Sequence, residues 1–202
     1  MKKLVAVLTG DIINSREEKV TNWMPELKST LERYGPTPEN WEIYRGDSFQ
    51  LMLPASDGFI AALHIKATIK KFRSIDVRIS IGLGTIDHAA KRITESNGSA
   101  FLHSGEGFEN LKKQTLAITS NNTQELQAIH IMIDLAMLVA NNWTPSVAQL
   151  IQTYIEHPDR QQKEIAQLLN KSQSTVSETL SRSGYEEIIA IQHYYKQLIP
   201  KQ

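Results

Sequence analysis

Residues 161–182, QQKEIAQLLNKSQSTVSETLSR, carry two short apolar stripes at helical spacing with a polar break between them. Ile165, Ala166 and Leu169 fall at i, i+1 and i+4. Val176 and Leu180 repeat the i, i+4 step after Asn170, Lys171, Ser172 and Gln173, so each segment buries one stripe. Ala166 is small where two helices must approach, and Asn170 tolerates the left-handed backbone that ends a helix. Ser172 is a good N-cap for the second helix. Its outward positions, Gln173, Ser174, Thr175 and Ser177, are short polar groups able to hydrogen-bond base edges or phosphates. The pattern is that of a helix-turn-helix, and the partner it points to is DNA; the plainer alternative is a helical hairpin with a solvated polar face.

The run Ser172 to Ser177, S-Q-S-T-V-S, resembles the recognition helix of many bacterial regulators. The charge pattern limits how such a helix would work. The chain has 22 Lys plus Arg against 22 Asp plus Glu, so no net field draws it to nucleic acid, and any DNA contact must be local. From Asn121 onward six basic residues face eight acidic ones. Lys163, Lys171, Arg182 and Lys196 are the cations available for phosphates, a sparse set that predicts modest affinity per subunit and a homodimer to raise it. Lys171 in the turn and Arg182 at the end of the second helix are the closest of these to the reading face.

At 202 residues with 41 % hydrophobic and 22 % charged content, the chain has the composition of an ordinary globular protein, with one large or two modest domains. No cysteine is present, which excludes disulfides, thiolate metal sites and cysteine nucleophiles, and the six histidines show no zinc-site spacing. MKKLVAVLTGD has too short an apolar run for a signal peptide, and no 18-residue apolar run exists elsewhere, so the reading is cytoplasmic with no membrane partner.

Strand and helix signals alternate up to residue 120, and helical period takes over after Ser120-Asn121-Asn122-Thr123. The expectation is two domains, 1–120 and 121–202. Leu4 to Leu8 reads as a central strand ended by Gly10. Ser15-Arg16-Glu17-Glu18 has capping-box form and is expected to start a helix running through Trp23, Leu27 and Leu31 to Gly35-Pro36. Trp41–Arg45 and Ser48–Leu53 are expected to form a hairpin with Gly46-Asp47 as a type II′ turn. A helix follows over 59–72, then a strand over 77–86. That strand has Val77, Ile79, Ile81 and Leu83 on one face and the nearly bare Arg78, Ser80, Gly82 and Gly84 on the other, which suits a bulge, a closely packed helix or a ligand over the sheet. A helix over 100–111 and a short strand over 116–119 complete an α+β, ferredoxin-like palm sandwich, followed by an all-α helix-turn-helix domain. Leu126 to Val139, apolar on most sides, reads as a buried connecting helix.

Asp11, after the first strand, and Asp47, in the hairpin turn, are expected at one sheet edge. Two hard oxygen ligands there would suit Mg²⁺ or Mn²⁺, whereas each alone is an ordinary turn residue. Arg16, Arg45 and Arg78 are candidate phosphate contacts for a nucleotide effector, with surface solvation or a salt bridge to a nearby carboxylate as the plainer role of each. Gly10-Asp11-Ile12, Gly46-Asp47-Ser48-Phe49, the run 78–84 and Gly98-Ser99-Ala100-Phe101 stand in the order of the motifs of class III nucleotide cyclase domains, which this part resembles. The combination of T-G-D-I-I-N-S-R, G-D-S-F and a C-terminal helix-turn-helix is similar to the SatD-like family of small bacterial proteins, often described as regulators.

The resemblance implies a cyclase-like palm joined to a DNA-binding module, with Asp11 and Asp47 matching the metal aspartates and the Ile12 carbonyl as an extra ligand. The chain departs from the cyclase pattern at Ile43, where a base-reading lysine would stand, and at Leu102 and Glu106, where the transition-state asparagine and arginine would fall. Neither an apolar group nor a carboxylate stabilises charge developing on phosphate, so cyclisation is not expected. The alternative to a regulator is a divalent-metal-dependent enzyme acting on a nucleotide.

Overall fold

The computed structural model describes residues 3–199, apart from the side chains of Thr123 and Glu125. The fold is α+β, with one five-stranded mixed sheet. Strand β1 (Val5–Ile13) lies at its centre and pairs antiparallel with β3 (Ser48–Pro54) on one side and β4 (Asp76–Gly84) on the other. Beyond them lie the two edges. β2 (Trp41–Tyr44) pairs antiparallel with β3, and β5 (Leu116–Thr119) pairs parallel with β4, giving the order β2-β3-β1-β4-β5.

β1 does not stop at Gly10. A Cβ there would lie 2.5 Å from the Phe49 ring, so the glycine is where a neighbouring side chain crosses the strand, and pairing continues to Ile13. Asp11 therefore sits inside the ladder, with Ser48 and Arg78 as its two cross-strand neighbours. The hairpin also differs from the expected two-residue turn. Tyr44 pairs with Ser48, leaving a three-residue loop whose Arg45 (φ 54°) and Gly46 (φ 88°) are both left-handed.

The sheet has two unlike faces because strand residues alternate. Ala6, Leu8 and Ile12 pack into the main core with helix α1 (Val20–Glu32), which contributes Trp23, Leu27 and Leu31, and helix α2 (Gly58–Lys70), which is buried on nearly every side. Ser15–Glu17 forms only a single 3-10 turn, entered through a left-handed Asn14, and α1 begins afresh at Val20. Val5 and Val7 face the other way, toward α3 (Ser99–Asn110). The bare face of β4 is filled by that helix. A Cβ on Gly82 would fall 2.2 Å from the Ala100 carbonyl oxygen and the Ser104 amide, and one on Gly84 would fall 2.4 Å from Ser99 Oγ. No space for a ligand is left over those positions; the glycines let a helix backbone touch the sheet.

The rest of the chain is helical: α4 (Thr123–Ala140), α5 (Pro145–Glu156), α6 (Gln162–Leu168), α7 (Gln173–Ser183) and α8 (Tyr185–Leu198). Strands give way to helices at the expected residue 120, yet the packing runs across that point. One apolar cluster extends from Leu8 and Phe59 through Ile151, Ile165 and Val176 to Tyr195. Polar contacts cross it as well: Tyr195 donates to the Ala55 carbonyl at 2.5 Å, and His64 on α2 contacts both Tyr34 (3.0 Å) and Glu156 on α5 (3.2 Å). α4 is not buried all round as its sequence suggests. Ile129, Ile133 and Met137 lie in the core, while Ile131, Leu135 and Leu138 are 59 %, 61 % and 68 % exposed.

Candidate nucleic-acid interface

α6 and α7 are short and separated by four residues, and each turn of backbone between them is accounted for. α6 starts with a reciprocal capping box between Gln161 and Glu164. It ends at a left-handed Asn170 (φ 51°), after which the Lys171 amide donates back to the Ala166 carbonyl at 2.9 Å. Ser172 then caps α7: its Oγ accepts from the Thr175 amide at 3.1 Å. Ile165 and Ala166 on α6 and Val176 and Leu180 on α7 are buried, and Leu169 is partly so. This pins the rotation of α7. Gln173, Ser174, Thr175 and Ser177 consequently all face solvent at its N-terminal end.

The first turn of α7 carries no acidic side chain, so its positive helix end is not neutralised locally. Ser172 Oγ also lies 2.9 Å from Ser174 Oγ and 2.8 Å from Thr175 Oγ1, a cluster of hydroxyls whose protons can turn outward. Lys171 is half-buried and donates to Ser146 Oγ on α5, a partner 25 residues away that local sequence patterns do not reveal. Arg182, exposed at the other end of α7, is held by Glu178, with 3.3 Å to its carbonyl and 3.6 Å to its carboxylate.

The six candidates of the sheet edge are brought close in the fold, in a different arrangement from a cation site. The Ile12 amide donates to the Asp47 carbonyl at 3.2 Å, which places Asp11 and Asp47 beside each other, while the Ile12 side chain is buried in the core. Asp11 spends both carboxylate oxygens on Arg78, accepting from Nε and Nη2 at 2.7 Å each. That bidentate bond raises the Arg78 pKa, and the guanidinium lies over the Phe108 ring, 4.9 Å from its centre. Asp47 accepts from Ser15 Oγ at 2.7 Å, so Ser15 serves the hairpin loop and not a helix cap.

Arg16 and Arg45 are exposed and point from the 3-10 turn and the hairpin loop that flank the pair. Among the described residues no group of three His, Cys, Asp or Glu side chains is placed to hold a metal. With the Asp11 oxygens both taken by a guanidinium, the donor set as it stands does not fit a resident Mg²⁺ or Mn²⁺. Phe108 and Ser15 are the participants that sequence reasoning missed here; the strand register that sets Arg78 opposite Asp11 would have indicated the pairing.

Among the described residues no helix is long and apolar enough to cross a membrane. No curated protein matches the chain. The model of the SatD family matches residues 5–199, from the first strand to beyond the last helix, and by that match the chain belongs to the SatD family.

Proposed function

We propose that this protein is a cytoplasmic DNA-binding regulator that reads DNA through α7, with the sheet domain of residues 1–120 as the part that senses a nucleotide. The observation that carries this reading is the exposed first turn of α7. Four polar side chains, Gln173, Ser174, Thr175 and Ser177, are exposed to solvent at a helix N-terminus whose orientation is fixed by Val176 and Leu180 packing on α6. A major groove admits such a helix, and short donor–acceptor side chains at its N-terminal end suit base edges. Ser172 and Lys171 supply the phosphate contacts in the turn, and Arg182 supplies one at the far end.

The β-α-β-β-α-β order with strands arranged β2-β3-β1-β4 supports a ferredoxin-like palm, to which β5 adds one strand. In this reading the effector's phosphate competes with Asp11 for Arg78, with Arg16 and Arg45 beside it. A divalent ion arriving with the nucleotide would meet Asp47 first and reach Asp11 only by displacing the guanidinium. The test is a gel shift at low salt with mixed duplex DNA. Wild-type protein retards the DNA and Gln173→Ala/Thr175→Ala protein retards it without sequence preference; no retardation by wild type at low salt contradicts the reading.

A further inference from the structure

α4 leaves an apolar stripe uncovered, and its spacing is that of a helix made to pair. Ala128, Ile131, Leu135 and Leu138 follow the alternating three- and four-residue steps of a heptad seam, and all four are exposed. Beside this ridge runs a groove of about 620 Å³ between α4 and α8, floored by Ala136, Val139, Ile188 and Ile191. A ridge and a groove side by side on one surface are self-complementary under a two-fold axis. We propose that a second copy of this chain docks on the α4–α8 face, ridge into groove, in an isologous dimer.

The area fits that occupant. Ile131, Leu135 and Leu138 each leave on the order of 100 Å² of apolar surface in solvent. With the exposed parts of Val139, Ala190 and Tyr194 the patch comes to roughly 600 Å², the upper end of what a monomer leaves uncovered. Doubled by symmetry it reaches about 1,200 Å², the lower end of specific interfaces. Charge fits as well. The rim carries both signs, Arg182 and Glu187, so two copies meeting there do not confront one uniform charge. A lipid surface is disfavoured because α4 contains no lysine or arginine.

Ser181 and Arg182 line the groove, so the axis lies near the C-terminal ends of the two α7 helices. The docking surface itself stands independently of the DNA reading.

The experiment is sedimentation of wild-type protein at tens of micromolar beside Leu135→Glu/Leu138→Glu. Both positions are exposed, so circular dichroism of the variant should match wild type. The expected result is a wild-type dimer and a monomeric variant. A monomeric wild type, a dimer that survives both substitutions, or monomers that float with lipid vesicles through this face would overturn the proposal. Should the double variant unfold, the chain's lack of cysteine supplies a second reading: Leu135→Cys, near the axis, should oxidise to a linked dimer many-fold faster than the α1 control Glu32→Cys, and equal rates overturn the proposal. A dispersible dimer that fails to shift DNA leaves this interface standing and removes the DNA reading, and a monomer that shifts DNA does the reverse.

Discussion

Arg78 and Asp11 show how one side chain changes meaning once its neighbours are known. In sequence Arg78 is a cation on a bare strand face. In the fold it is the cross-strand partner of the Asp11 carboxylate, closed over by Phe108 in the last turn of α3. Its candidate role as a phosphate contact therefore depends on breaking a bidentate bond, and that bond can be weighed. Because Arg78 is more than a third exposed, the pair should contribute only about 1 kcal/mol, to be read as the coupling term of an Asp11→Ala, Arg78→Ala double-mutant cycle in urea. A coupling near zero would mean the ion pair is incidental. At the proposed DNA face, Lys171 and Gln173 are assigned different work. Lys171→Ala should weaken binding to all duplexes alike and lower the salt dependence by about one ion. Gln173→Ala should relax sequence preference at a cost of roughly 1 to 3 kcal/mol on the preferred site, both read by fluorescence anisotropy over a salt series. The positions of Ser172, Val176 and Leu180 were legible in the sequence because capping and apolar spacing are local rules. The Lys171 contact with Ser146 was not, since it joins residues from different helices.

Among the elements, β4 and α3 hold the clearest physical lesson. Alternation along 77–84 told which residues share a face, and the run Arg78, Ser80, Gly82, Gly84 told that one face is bare. It could not tell whether a ligand or a helix fills the space, because the sequence of α3 only makes sense beside it. Ala100, Ser104 and Gly107 are the small residues that let the helix descend, with a Cβ on Gly107 only 2.3 Å from Ser80 Oγ. Gly82→Ala is therefore expected to destabilise by about 2 kcal/mol or more, since the atoms its methyl meets are helix backbone and cannot rotate away. Gly105→Ala is the control: nothing lies within 4 Å of its added methyl, and alanine favours a helix, so this variant should hold or gain stability in thermal melts. Element boundaries were less legible where a side chain had two possible uses. Gly10 reads as a strand stop and is instead a close approach; Ser15 reads as a helix cap and is instead a ligand of Asp47. α4 was legible as a helix but not in its environment, because an apolar helix with two sticky faces looks buried from sequence alone.

Across the whole molecule the two parts of the chain share one core, and a polar link crosses it at His64 and Glu156. The hydrogen bond from His64, more than burial opposes it, lowers the Glu156 carboxyl from 4.5 to about 2, with Gln152 and Arg33 assisting. A carboxyl whose folded pKa is depressed adds stability above its unfolded value and loses it as pH falls toward the folded one. Thermal midpoints should thus be flat above about pH 4.5 from this group and fall between there and about pH 2, by an amount on the order of 1 kcal/mol once screening at a partly exposed carboxylate is allowed for. Glu156→Gln should flatten that acid limb; an unchanged slope would place the pH dependence elsewhere. The α+β class and the order of strands and helices were legible from periodicity, whereas the shared core was not, because contacts such as Tyr195 to Ala55 span 140 residues. The claim on which the functional account rests is that α7 reads sequence. Selection from a randomised duplex pool at low salt, run in parallel with wild-type and Gln173→Ala/Thr175→Ala protein, measures it directly. The account predicts that wild type enriches a defined motif and the double variant retains DNA without enriching it; a pool from which wild type retains no duplex, or the same motif recovered by both proteins, would contradict it.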